Sequence, residues 1–135
     1  MSSRIQYRVP YADTDQMGVV YYANYLVMFE RVRNEILRDC GFSYDQIEKS
    51  GIGLPVIQAH VDYYKPSHYD DLLNITGWFE KVSGARAWVR CQVHRNQDLL
   101  AEGHTIHVFL DLNKKKPVKP DKTILKAIKI GGSED

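Results

Sequence analysis

Two carboxylates, Asp13 and Asp15, stand in the run Tyr11-Ala-Asp13-Thr-Asp15-Gln-Met-Gly18-Val-Val-Tyr21-Tyr22-Ala-Asn24-Tyr25, and a helical pattern begins where that run ends. A helix N-terminus carries unpaired N–H groups and about half a positive charge, so it can keep a carboxylate ionised and also receive a developing oxyanion. Acyl transfer requires both: a group that attacks or activates water, and a donor for the carbonyl oxygen. The same residues have a structural reading, because Asp and Asn before a helix are most often caps and buried aromatic residues are most often core.

The elements that must position this loop are legible from periodicity. Tyr25, Phe29, Val32 and Ile36 recur at intervals of four, three and four, with Leu26, Met28, Leu37 and Cys40 beside them, which predicts a helix of about four turns. Asn24 is placed to act as its N-cap, Gly41 as its C′ glycine, and Arg31 with Glu35 as an i,i+4 pair. Ser43 and Gln46 have the spacing of a capping box for a short helix through Lys49, stopped by Gly51 to Gly53. Ile5 to Val9 reads as a strand stopped by Pro10.

After Pro55 the period becomes two. Ile57, Ala59, Val61 and Tyr63 alternate with polar residues, and so do Leu73 to Phe79, Ala87 to Val93, and the set Ile106, Val108 and Leu110. Turn residues at Pro66 to Asp70, Ser83-Gly84 and Asn96 to Asp98 predict a meander of successive antiparallel neighbours. One long helix with a run of strands makes an α+β layer in which the sheet wraps the helix. Lys122 to Lys129 is expected to form a terminal helix with Ile124, Leu125 and Ile128 on one face. The expectation is one domain over residues 1–130 and a disordered tail over 131–135.

At 135 residues and a net charge of +1 the chain can bury a real core, and no long block of like charge points to nucleic acid. Cys40 and Cys91 are far apart in sequence and form no ligand pair or redox motif. Met1 to Tyr7 contain no apolar h-region and no apolar run nears the ~18 residues of a membrane span, so neither a leader nor a span is expected. The expectation is a reduced, cytoplasmic location without membrane insertion. His104 and His107, three apart on a strand, point to opposite faces, so no metal site is expected from them.

Asp15-Gln-Met-Gly18-Val-Val-Tyr21-Tyr22 resembles the active-site motif of the 4-hydroxybenzoyl-CoA thioesterase family of hot-dog proteins, an Asp-x-x-Gly run followed by two hydrophobic and two aromatic residues before the central helix. The similarity continues through Asn24-Tyr25-Leu26, Phe29-Glu30-Arg31, Tyr63-Tyr64-Lys65-Pro66 and Asp70-Asp71-Leu72, and spans roughly residues 5 to 120. It is similar to the bacterial subgroup associated with the Tol-Pal envelope system. That subgroup often has histidine where this chain has Tyr22, and the wider family also places an aromatic residue there.

The resemblance implies a hot-dog fold and an acyl-CoA thioesterase that releases a carboxylic acid and CoA, with CoA as part of the substrate and no metal or redox cofactor. Asp15 would act as nucleophile, through a mixed anhydride, or as general base on a water. The Tyr22 backbone N–H would polarise the thioester carbonyl. Gly18 would serve either the close approach of the loop to substrate or a turn that only glycine adopts. Asp13 is expected to fix the loop by capping backbone N–H groups.

Candidate substrate contacts are Tyr21, Asn24 and Tyr25 in the motif, His60 on the strand bordering the pocket, and Lys65 and Arg86 for the charged nucleotide of CoA. By the same resemblance Ser83 to Arg86 approaches that nucleotide. The family pattern further implies a homodimer with sites at its interface, two dimers forming a homotetramer. Two rivals stand beside this reading. A non-enzymatic dimer would bind an acyl chain or an acyl carrier protein. A phosphatase would use Asp13-x-Asp15, but it needs an apolar parallel strand that Arg8-Val-Pro-Tyr does not supply.

Overall fold

In the computed structural model, which describes residues 2–128 and 130–131, the period-two runs pair as antiparallel strands around one long helix. In chain order the elements are β1 (Ser3–Arg8), a 3-10 turn (Tyr11–Asp13), α1 (Asn24–Asp39), α2 (Tyr44–Lys49), β2 (Ile52–Gly53), β3 (Val56–Tyr63), β4 (Leu72–Ser83), β5 (Arg86–Arg95), β6 (Asp98–Val108), β7 (Leu110–Asp111), β8 (Lys116–Pro117) and α3 (Lys122–Ala127). The main sheet has the order β1-β4-β5-β6-β3, and β2, β7 and β8 form a small second sheet.

The apolar stripe of α1 buries Tyr25, Met28, Phe29, Val32, Ile36 and Leu37. It lies on the inward sheet face of Leu73, Ile75, Phe79, Val89, Cys91 and Val93, all fully buried. Each such aliphatic or aromatic side chain contributes about 1.5–3 kcal/mol through its burial. Gly77 is where the helix comes closest: a Cβ there would stand 3.0 Å from Val32 Cγ1 and 3.2 Å from Ile36 Cδ1. The helix ends as its sequence prescribes, with Gly41 at φ +94° and the Phe42 N–H donating to Leu37 O at 2.9 Å, a Schellman closure. Ser43 and Gln46 form both bonds of the capping box on α2.

Several expectations are corrected. Asn24 is the first helical residue and not the N-cap; Ala23 holds that position without a side-chain bond, because the Asn24 amide is engaged elsewhere. Glu35 pairs with Arg38 at 3.0 Å, while Arg31 lies over the Tyr7 ring. The meander holds only for β4, β5 and β6: β3 pairs with β6 at the far edge. The segment from Pro66 to Asp71 is therefore no tight turn. It carries the chain across the end of the sheet and binds the loop ahead of α1, with the Val20 N–H donating to Ser67 O at 2.8 Å and the Val9 N–H to Asp71 O at 2.9 Å.

The inward face of β6 also has the opposite parity to its apolar residues. Thr105 opposes Val89 and is buried, whereas Ile106 opposes Trp88 on the outer face. Polar inward positions are tolerated because they satisfy one another. His107 Nδ1 donates to Leu54 O at 3.1 Å, which leaves Nε2 to accept from the Thr105 hydroxyl at 2.7 Å. On α3, capped by Asp121, Ile124 and Ile128 are buried but Leu125 is exposed. The expected tail over 131–135 lies, beyond Gly131, outside the described residues.

Candidate active site

The loop between the 3-10 turn and α1 is tied down before it reaches Asp15. The Tyr7 hydroxyl donates to the Asp13 carboxylate in a very short bond, and the Asp13 carbonyl accepts from the Tyr21 N–H at 2.8 Å and from the Asn24 side chain at 3.0 Å. Asp13 thus fixes the loop, but through its carbonyl and Tyr7 and not by a carboxylate cap on backbone N–H groups. Burial, the bond to Asp13 and that residue's charge push the Tyr7 hydroxyl up to about 12.

Asp15 sits in a hairpin-like turn in which its N–H donates to Val19 O at 2.9 Å and its carbonyl accepts from the Gly18 N–H at 3.0 Å. Gly18 has φ +79°, a left-handed conformation, and a Cβ built on it would meet nothing within 4 Å. Within this chain the glycine serves the backbone angle. Asp15 Oδ1 accepts from the Met17 N–H at 2.9 Å and from the Val19 N–H at 3.4 Å, while Oδ2 has no hydrogen bond among the described residues.

The half-buried Asp15 side chain lines a cavity of about 330 Å³ together with Tyr22, Tyr25, Tyr63, Tyr64 and Lys65. At its helix side the first N–H groups of α1 begin. The Tyr22 N–H makes no hydrogen bond among the described residues, and the Tyr22 carbonyl accepts from the Tyr63 hydroxyl at 2.9 Å. Tyr25 is buried, its hydroxyl shares a 2.7 Å hydrogen bond with Ser67, and its ring meets Tyr63 edge-on at 5.3 Å. Burial raises both the Tyr25 and Tyr63 hydroxyls above their ordinary range, so both remain protonated donors at neutral pH.

The cavity therefore brings together Asp15, Tyr22, Tyr25 and Lys65. Lys65 also reaches Asp98 at 3.3 Å. Gly18 shapes the turn behind the cavity. Tyr21 is exposed and its ring meets that of Tyr22 at a tilt of 47°, centroids 4.7 Å apart, and Asn24 is turned away onto Asp13. His60 lies on the outer face of β3, where its Nε2 donates to Asp62 at 3.0 Å and its ring stacks on His104. Arg86 opens β5, exposed and outside the cavity. His104 and His107 occupy opposite faces of β6, and no cluster of three or more His, Cys, Asp or Glu residues with metal-binding geometry occurs among the described residues.

Sequence reasoning missed Tyr63, Tyr64 and Ser67 as builders of the site. Their only signal was the Tyr63-Tyr64-Lys65-Pro66 run, which acquires meaning once β3 is placed beside the mouth of α1.

An antiparallel sheet wrapped on one central helix is the hot-dog fold. The chain belongs to the thioesterase-like superfamily, whose family model matches residues 9–128. It is 34% identical over 123 residues to the acyl-CoA thioester hydrolase YbgC of Escherichia coli, covering 90% of this chain and 92% of that protein. It is 37% identical over 112 residues to the acyl-CoA thioesterase YbgC of Haemophilus influenzae, covering 82% of each. The crystal structure of DHNA-CoA thioesterase from Staphylococcus aureus superimposes with a TM-score of 0.88 at 31% identity, covering 93% of this chain and 87% of that one. The chain is a thioester hydrolase.

Proposed function

We propose that this chain hydrolyses an acyl-CoA to the free carboxylic acid and CoA, with Asp15 as the reacting carboxylate and the Tyr22 N–H as the oxyanion donor. The observation that carries the proposal is the shared cavity wall: Asp15 and Tyr22, whose Oδ2 and N–H have no hydrogen bond among the described residues, line one cavity at the mouth of α1. The names of the similar proteins supply the substrate class.

The two N–H bonds to Oδ1 hold the carboxylate in place and leave Oδ2 for chemistry. Oδ2 either attacks the thioester carbon, forming an anhydride that water then cleaves, or takes a proton from the attacking water. In both routes charge develops on the carbonyl oxygen as the nucleophile adds to the thioester carbon, and the oxyanion collapses as the C–S bond breaks and CoA leaves as thiolate. An oriented backbone N–H at that oxygen is worth about 2.7–4 kcal/mol of barrier. Lys65 and, outside the cavity, Arg86 are the basic residues proposed to meet the phosphates of CoA.

The working form is proposed to be a dimer joined through β3, two dimers forming a tetramer as the family resemblance implies. β3 is a sheet edge with one ladder open, and it exposes Val56, Ile57 and Tyr63 by 47%, 48% and 48%, too much apolar surface for a strand left in water. A second copy pairing there would wall the cavity, which borders β3.

Thiol release from a panel of short, long and aromatic acyl-CoAs tests the substrate class. Turnover of at least one member is the expected result. Silence across the panel, with turnover of an acyl group carried on acyl carrier protein, would contradict CoA as the carrier.

A further inference from the structure

Arg33 is a charge in the wrong place for a surface helix. It falls on the apolar stripe between Phe29 and Leu37 and is only 8% exposed. Its Nε is buried without a partner, and the guanidinium makes no hydrogen bond or ion pair among the described residues. Of the polar groups near it, His107 spends both ring nitrogens on Leu54 O and the Thr105 hydroxyl, and Tyr44, in the wall of the same cavity, acts on Arg33 only through space. Glu30 acts on Arg33 through space but forms no ion pair with it, and its side chain is exposed to solvent.

What Arg33 does face is a second cavity, of about 440 Å³, with walls of Leu26 and Val27 from α1 and Val56 and Ala59 from β3, and with Glu30 at its side. This cavity and the Asp15 cavity lie along the same strand, β3, and along α1 and the turn that leads into it. Leu26 lies one helical turn beyond Tyr22, and Ala59 lies on the same face of β3 as Tyr63. In the single chain Leu26, Val27 and Val56, the last of them also on the proposed dimer edge, are exposed by 39%, 48% and 47%, so the stretch between the two cavities is an apolar trough. Tyr22 to Arg33 spans roughly 16 Å along the helix axis, and less between side-chain ends because helical side chains lean toward the N-terminus.

We propose that Arg33 is a specificity-determining residue that receives a carboxylate at the far end of the acyl group, so that the preferred substrates are CoA thioesters of dicarboxylic acids. The inference rests on the thioesterase reading of the Asp15 cavity. A guanidinium is donor-only and its fork matches a carboxylate in two parallel hydrogen bonds. The thioester lies at Asp15, the methylenes occupy the trough, and the terminal carboxylate supplies the acceptor that the buried guanidinium lacks. Glu30, exposed and screened, attracts Arg33 through space without occupying it and lowers its affinity for an incoming anion.

The test compares kcat/KM for CoA thioesters of dicarboxylic acids of increasing length with neutral acyl-CoAs of the same length, in the native chain, Arg33→Met and Glu30→Gln. At the best length the carboxylate-ended substrate is expected to be favoured about tenfold or more, through KM. The ratio should collapse in Arg33→Met and rise in Glu30→Gln. Arg33→Met keeps the aliphatic stem, and its unfolding midpoint and assembly size confirm that it folds. Free octanoate, which needs no turnover, should raise the unfolding midpoint of the native chain and not that of Arg33→Met.

A native ratio of one or below, with neutral acyl-CoAs still hydrolysed, overturns the inference and leaves the thioesterase reading standing. Hydrolysis of no acyl-CoA defeats that reading; the octanoate shift then decides Arg33 by itself, and its absence overturns the inference. If Arg33→Met breaks the assembly into monomers without changing the ratio, a second copy answers the guanidinium and the inference is wrong.

Discussion

Asp15 is held by its own loop and not by a distant partner, so its position depends on how firmly the loop is anchored. The main anchor is Asp13, through Tyr7, Tyr21 and Asn24. Tyr7→Phe removes the hydroxyl and leaves a half-buried carboxylate one donor short, so it should cost about 1–2 kcal/mol of stability. It should also lower kcat more than it raises KM; urea titration and steady-state kinetics on the same preparation check both effects.

His107 makes a pH prediction. Burial first, and then the charge of Arg33, push its imidazole down to about 4 from an ordinary 6.5, with the bond to Leu54 O opposing. The unfolded chain therefore takes up this proton at higher pH than the folded one. The stabilisation is complete above about 6.5 and is lost as pH falls toward 4. Lowering the pH from 6.5 to 5 should remove about 2 kcal/mol through this residue. Urea midpoints at the two pH values should diverge less in His107→Gln than in the native chain, and equal slopes would rule the effect out.

At this scale the Asp15 loop was legible and its surroundings were not. Asp15, Gly18 and Tyr22 are neighbours in sequence, so a short motif contains them all. Arg33 was overlooked because a single charge on an apolar stripe signals something only when its burial and lack of partners are known.

Among the elements, α1 and α2 were readable because their signals are local: the apolar stripe, the Gly41 closure and the Ser43 capping box each act within a few residues. Strand partners are not local. The run 57–63 had a clear period, but nothing in it distinguishes pairing with β4 from pairing with β6. What decides is the Pro66–Asp71 crossover, pinned by Arg95 donating to Asp71 at 2.8 Å and to Pro66 O at 3.2 Å. The parity of β6 was hidden for a similar reason, since Thr105 and His107 are acceptable inward only as a bonded pair.

Gly103 carries the placement of β3. A Cβ on it would stand 1.9 Å from the His60 carbonyl oxygen, so the strand must move away for any other residue to fit. Gly103→Ala should destabilise the fold by about 1–3 kcal/mol. Because the strand displaced is the proposed dimer edge, assembly should weaken as well. Calorimetry and sedimentation of this one variant separate the outcomes, and an unperturbed variant would contradict the placement of β3.

For the whole molecule, the open β3 edge is where the proposed dimer would form. Lysine at Val56 and Ile57, both exposed in this chain, should be tolerated by the fold but block strand addition. The expected product is a folded monomer with turnover reduced by about tenfold or more, because the cavity loses a wall. A double-lysine variant that stays dimeric would place the interface elsewhere.

Asp15 is the residue on which the proposed turnover depends most directly. Thiol release by Asp15→Asn, purified as the same assembly and assayed against the best acyl-CoA of the panel, should fall by about two decades or more, with the unfolding midpoint little changed. Asparagine keeps the shape of the side chain and can still accept from the Met17 and Val19 N–H groups, so the loop should survive while the reacting carboxylate is gone. Turnover within a few-fold of the native rate would make Asp15 a loop residue only, and the mechanism proposed for this site would be wrong.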